Sequence, residues 1–143
     1  MLRSAVFGLA LLALSPAAQA ADALETVRGL YVPTIWNPLE GRIDVTTGPA
    51  LALLEKNAKQ TEANCFDFVV TVDGQDFDEA EVGRTLELED TGRGADGATE
   101  IRARFQIFGQ PQEVFWTMVE EKGGWKVADI VGKEWRLSEF ECE

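Results

Sequence analysis

The sequence predicts an α+β domain. Two stretches of helical periodicity open the mature chain, three or four stretches of period-two alternation follow, and turn residues separate those at short intervals. Helices first and strands afterwards place the helices against an antiparallel meander. Segments 1–20 and 21–143 divide the chain into a leader and one domain.

The leader carries Arg3, an apolar run from Ala5 to Leu14, a Ser15-Pro16 break and Ala18-Gln19-Ala20, the composition of a secretory signal peptide with a small-x-small cleavage site. The run is shorter than the roughly 20 apolar residues of a spanning helix. No Cys follows the cut, so a lipid anchor has no acceptor. The expectation is a mature protein without membrane anchoring, periplasmic or secreted. Removing 20 residues from 143 leaves 123, the size of one domain with a real core. Losing Arg3 takes the formal charge from −12 to −13. That field opposes nucleic acid and anionic membranes and favours a cationic or basic partner, although an acidic surface serves solubility equally well.

Along the mature chain, Leu24, Val27, Leu30 and Tyr31 recur at helical spacing and predict a first helix over 23–31, which Pro33 stops. Residues 33–48 hold Pro33, Pro38, Gly41 and Gly48 and read as a connector, with Trp36 and Leu39 available for packing. Pro49 suits a first helical turn, and Leu51, Leu53, Leu54 and Ala58 give an apolar face reaching about residue 62. Phe66, Phe68, Val70 and Val72 then alternate with Asp67, Val69 and Thr71, which predicts a short strand or extended segment before the acidic loop 73–76. Strands follow over 84–90, 99–108, 112–121 and 125–131. In the third, Val114, Trp116 and Met118 oppose Phe115, Thr117 and Val119, so both faces are apolar and it is expected at the centre of the sheet. Gly123-Gly124 turns the chain into the last strand, and the tail 135–140 reads as a final turn of helix or an extended piece.

Two cysteines remain, Cys65 and Cys142. In an oxidising compartment a disulfide is expected, contributing about 4.5 kcal/mol through closure of a long loop, with two separate thiols as the alternative. The chain contains no His and no C-x-x-C, so a cysteine nucleophile paired to imidazole and a His-based metal site are both excluded. No G-x-S-x-G elbow is present either. Gly92-Arg93-Gly94-Ala95-Asp96-Gly97 matches a dinucleotide fingerprint by letter but lies between strands, so it reads as a hairpin loop. Asp73, Asp76, Asp78, Glu79 and Glu81 concentrate five carboxylates without calcium-loop spacing and read as a solvated acidic loop, with a weak cation site the alternative.

Asp129 is the carboxylate of most interest. Strict alternation puts it on one face with Trp125, Val127 and Val131, where a charge is costly unless it is paired. Arg102, Arg104 or backbone amides would satisfy it; left free, it would serve as a general base or bind a ligand. Trp36, Trp116, Trp125 and Trp135 read first as core and second as an aromatic pocket.

The segment Phe66-Asp67-Phe68 with Gly74-Gln75-Asp76, then Val114-Phe115-Trp116, then Gly123-Gly124-Trp125-Lys126-Val127-Ala128-Asp129-Ile130 and the closing Trp135-Arg136-Leu137-Ser138 resemble a family of small exported bacterial proteins known as a domain of unknown function. That family is similar to the nuclear transport factor 2-like, cystatin-like cone, and the resemblance covers roughly residues 24–140. It implies N-terminal helices packed on a curved antiparallel sheet and an exported location; it implies no activity and no cofactor.

Three functions fit these observations. The leading one is a non-enzymatic binding or interaction module for a small ligand or protein partner, a homodimer included, with Asp67, Asp76, Asp129, Trp116, Trp125 and Tyr31 as candidate ligand-binding residues. The second is a SnoaL-like or ketosteroid-isomerase-like enzyme with Asp129 or Asp67 as the base and Tyr31 as a donor. The third is an inhibitor or immunity-type protein presenting its acidic face to a basic partner.

Overall fold

The structure, a computed structural model, describes residues 22–32, 39, 42–60, 65–93 and 95–142. The leader and Trp36 lie outside the described residues. The fold is α+β: helices α1 (Ala23–Arg28), α2 (Gly48–Lys59) and α3 (Glu79–Thr85) accompany strands β1 (Glu87–Arg93), β2 (Thr99–Ile107), β3 (Gln110–Glu121) and β4 (Gly124–Val131). The strands form one antiparallel meander in the order β1-β2-β3-β4.

Each helix has a local reason to start. The Asp22 carboxylate accepts the Glu25 N–H at 2.8 Å and caps α1, which buries Ala23 and Val27. A turn then carries the chain on through Leu30 and Tyr31. Pro49 stands at the start of α2, whose Ala50 and Leu53 are buried. Helix α3 was not expected from the sequence, which reads there as acidic loop and the start of a strand. Asp78 caps it by accepting from Ala80 N and Glu81 N, and Val82 is its one buried residue. With one buried apolar side chain and an internal Gly83 it shows no helical stripe, and the Asp78-x-x-Glu81 capping pattern is the local sign of it.

The extended segment predicted over 66–72 does not join the sheet. Val69 N–H donates to Gly74 O at 2.9 Å and closes the segment on itself, while Val70, Thr71 and Val72 are buried. Its alternation reflects burial inside a compact loop, not a place in a ladder. The strands expected over 99–108, 112–121 and 125–131 are present, with β3 flanked by β2 and β4, while the one expected over 84–90 starts later, at Glu87, because 84–85 end α3. Of the glycine-rich stretch, Gly92 and Arg93 end β1 and Ala95–Gly97 form a 3-10 turn before β2, with Asp96 in left-handed conformation.

On one face of the sheet, Ile101, Ala103 and Phe105 of β2, Val114, Trp116 and Met118 of β3, and Val127 and Ile130 of β4 form the core with Val27, Leu30, Tyr31, Leu53 and Val82. The other face stays partly open. There Glu87 pairs with Arg104 and Glu113, and Glu89 with Arg102, Phe115 and Val131 in the next row. Hydrogen bonding to Arg102, with its positive charge, holds the Glu89 carboxyl below the usual carboxylate range. Exposed pairs of this kind contribute little to stability.

Strand β4 contains the fold's most consequential irregularity. Thr117 faces Asp129 but Met118 faces Val127, so Ala128 is an extra residue and forms a β-bulge. Beyond the bulge the faces exchange. Val127 and Ile130 point to the core beside Met118 and Trp116, and Asp129 lies with Thr117 on the opposite face. The expectation that Asp129 shares a face with Trp125 and Val127 is therefore corrected: alternation holds only while two strands advance in step.

Candidate functional site

The candidate residues do not converge. Tyr31 and Trp116 meet in the core, where the Tyr31 hydroxyl donates to Thr71 O at 2.8 Å and accepts from Trp116 Nε1 at 3.2 Å. The rings meet edge on, centroids 5.8 Å apart, with Phe105 at 6.2 Å from Tyr31. Burial pushes the Tyr31 hydroxyl above the usual tyrosine range, against a smaller opposing effect of the Trp116 hydrogen bond. All three side chains are buried, so they fill the space between helices and sheet instead of lining an opening there.

Asp129 is saturated. Its Oδ1 accepts from Ile130 N at 2.9 Å and Ser138 N at 3.0 Å; its Oδ2 accepts from Arg136 Nη1 at 3.0 Å and Ser138 Oγ at 2.7 Å. The partner cation is Arg136, while Arg102 and Arg104 pair with Glu89 and Glu87. The arrangement ties the 3-10 turn Leu137–Glu139 to β4 and buries Leu137. Asp67 and Asp76 are exposed on the 67–76 loop, where Asp67 O accepts from Gln75 Nε2. Trp125 is half-buried at the β3–β4 turn, lining a shallow cleft of about 330 Å³ with Glu25, Arg42 and Lys126.

The cysteines form a disulfide, Cys65 to Cys142, with Cα atoms 4.7 Å apart. Around it Phe66, Phe68, Trp135 and Phe140 make a second aromatic group, with ring centroids 4.9 to 6.0 Å apart.

The acidic stretch does structural work that its composition concealed. Asp73, in left-handed conformation at φ 54°, accepts Lys133 N at 3.0 Å and Trp135 Nε1 at 2.5 Å. Asp78 caps α3, and Glu81 accepts the Phe108 and Gly109 amides at 2.6 and 2.9 Å. Among the described residues no group of three or more carboxylate or thiolate ligands gathers to hold a metal ion.

Asp73 and Glu81 bracket a feature no single segment of sequence announces. A cleft of about 490 Å³ opens between the β2–β3 hairpin and the loop after β4, lined by Arg104, Phe105, Pro111, Gln112, Glu113, Phe115, Gly132 and Lys133. Glu81 holds the hairpin tip, where Phe108 takes φ 49° and is 66% exposed. Asp73 holds the opposite wall, which also closes through Gly132 N–H to Trp135 O at 3.0 Å. Gly132 is required there, because a Cβ would run into the Trp135 indole. Both walls are thus fixed by carboxylates on backbone amides. Sequence reasoning missed Lys133, Gln112 and Arg104 as site residues, since they come from three segments that only the meander and the loop after β4 bring together.

The class defined by these features is a small, disulfide-bonded α+β protein with a filled interior and a preformed cleft at one end of its sheet. Compared with family models, curated proteins and solved structures, the chain matches none.

Proposed function

We propose that the chain is an exported, non-enzymatic binding or interaction module that works through the open end of its sheet and not through the space between sheet and helices. The observation that carries this reading is the contrast between the two. The interior is occupied by Tyr31, Phe105 and Trp116 with their polar atoms satisfied, whereas the cleft of about 490 Å³ stays open between walls held by Asp73 and Glu81 and is lined by both polar and apolar residues. The disulfide fits an oxidising compartment, periplasmic or extracellular, and among the described residues no helix is long and apolar enough to cross a membrane.

An isomerase-like reading draws less from the geometry. Asp129 spends both oxygens on the C-terminal turn and its neighbours, Tyr31 is sealed in the core, and Asp67 is exposed on the 67–76 loop and lines neither of the two clefts described above.

The test is native mass spectrometry of the mature, oxidised protein purified from its own compartment. A copurified small molecule or protein at defined stoichiometry is the expected result. A bare chain from every preparation, together with no thermal shift on adding back the low-molecular-weight extract of that compartment, would remove the reading.

A further inference from the structure

We propose that the open face of the sheet is the contact between two copies of this chain, related by a two-fold axis that runs along the strands between β2 and β3. This inference rests on the interaction-module reading and names the partner of that surface, a second copy.

Pairing register defines the face. Glu87 of β1, Arg104 of β2 and Glu113 of β3 form one row; Glu89, Arg102, Phe115 and Val131 form the next; Glu100, Thr117 and Asp129 form a third. The buried side chains of α1, α2 and α3 all lie with the core on the other face, so no described helix packs here. Phe115, Val119 and Val131 are left partly exposed. Four strands spaced about 4.8 Å apart, rising about 3.4 Å per residue along the 9 residues of β2, present roughly 600 Å² of plane. Side-chain relief carries that towards the roughly 800 Å² per partner of a stable interface.

Charge identifies the occupant. The chain carries −12 overall, yet these three rows hold five carboxylates against four cations, counting Lys133 beside Glu113 in the cleft and Arg136 on Asp129. Elsewhere in the sequence acids outnumber bases by more than two to one. A basic partner would be drawn to that surplus, and an acidic one would be repelled by it. Two copies of the chain repel each other over most of their surface and can approach where the charge is balanced, which is this face.

The order of the charges selects the axis. A two-fold axis along the strands between β2 and β3 lays β2 over β3 of the second copy and β1 over its β4, each row over itself. Arg104 then faces Glu113 of the second copy, Glu87 faces its Lys133, and Arg102 stands over its Phe115 ring in the manner of a cation–π contact. Symmetry makes each contact twice. Glu113 and Lys133 form no ion pair within one chain among the described residues, so both charges are free for the second copy. An axis across the strands would instead set the acids of β1 against each other and the arginines of β2 against each other. Twisted sheets pack face to face with their strands about 30° apart, which keeps the central rows in contact.

The test is sedimentation equilibrium of the mature, oxidised protein up to about 1 mM, where a monomer–dimer equilibrium is expected. Arg104 and Glu113 are both exposed, so the variants Arg104→Glu and Glu113→Arg keep the fold, which circular dichroism checks. Each variant alone sets like charges against each other at two symmetric points and should weaken self-association about tenfold. Mixed in equal amounts, the two variants should associate with nearly the unaltered strength, because each introduced charge then meets its opposite. Independently of any variant, dilution of the unaltered protein should shift the Arg102, Phe115 and Val131 amides. A monomer at every concentration, a dimer indifferent to both changes, a mixture no stronger than its parents, or dilution shifts confined to the Phe108 tip or the Trp125 cleft would each overturn the inference. A monomer that copurifies with a ligand or another protein would overturn it and leave the binding-module reading standing; that reading falls only on the mass-spectrometric result above.

Discussion

Tyr31, Phe105 and Trp116 occupy the middle of the molecule and need no staple, whereas Phe66, Phe68, Trp135 and Phe140 gather at its periphery around the Cys65–Cys142 disulfide. The central rings are fully buried between sheet and helices, so transfer out of water and close packing hold them. The peripheral rings are only partly buried, and they join the chain's last residues to a loop that forms no ladder. Their position depends on a covalent bond, on Asp73 gripping the Trp135 indole and on Asp129 gripping Ser138 and Arg136. A region that cannot bury enough apolar surface to order itself is ordered by a few directed bonds.

That contrast can be broken most severely at the centre. Trp116→Ala should cost about 3–5 kcal/mol, because it opens a cavity in the core and removes the N–H that donates to the Tyr31 hydroxyl; urea denaturation measures it, and a loss under one kcal/mol would show that the centre repacks. At the periphery, the double change Cys65→Ser and Cys142→Ser should cost about 2–5 kcal/mol. Hydrogen exchange should then rise first across 132–142 and only later in β2 and β3. Uniform acceleration along the chain would mean the two regions are not separable.

A smaller effect is expected from Asp129→Asn, about 1–3 kcal/mol, since an amide cannot accept from four donors. Protection of the Ser138 amide reads it directly. The smallest effect distinguishes burial from charge. Tyr31 in the folded chain ionises above the usual tyrosine range, so the unfolded chain loses its phenolic proton first as pH rises past about 10. The stabilisation is complete below that pH and declines above it, by about 1.4 kcal/mol per pH unit for one proton. Tyr31→Phe should flatten that alkaline slope in paired denaturation series; an unchanged slope would show that other groups control it.

Much of this architecture was legible in local pattern. Helical spacing around Val27 and Leu53 and alternation through Ile101 to Phe105 and Val114 to Met118 survive into the structure, because each pattern is enforced by one face of one element meeting one core. Helix α3 escaped because a seven-residue helix with a single buried side chain has no period to show, and the 66–72 segment misled because burial inside a closed loop imitates a strand. The candidate site was the least legible part. Tyr31, Trp116 and Asp129 are what a reader of composition would choose, and the fold spends all three on its own hydrogen bonds.

By itself, then, the sequence determined the α+β class, the order of the main elements, the central place of the Trp116 strand and the pairing partners available to its two cysteines. Tertiary structure decided the face on which Asp129 lies, the arginine it meets and the existence of the cleft. The physical reason is the same in each case. A one-residue bulge at Ala128 exchanges the faces of β4, and the turn after that strand returns Lys133, Trp135 and Arg136 to places that depend on Asp73 and Asp129, residues whose roles are visible only once distant backbone amides stand beside them.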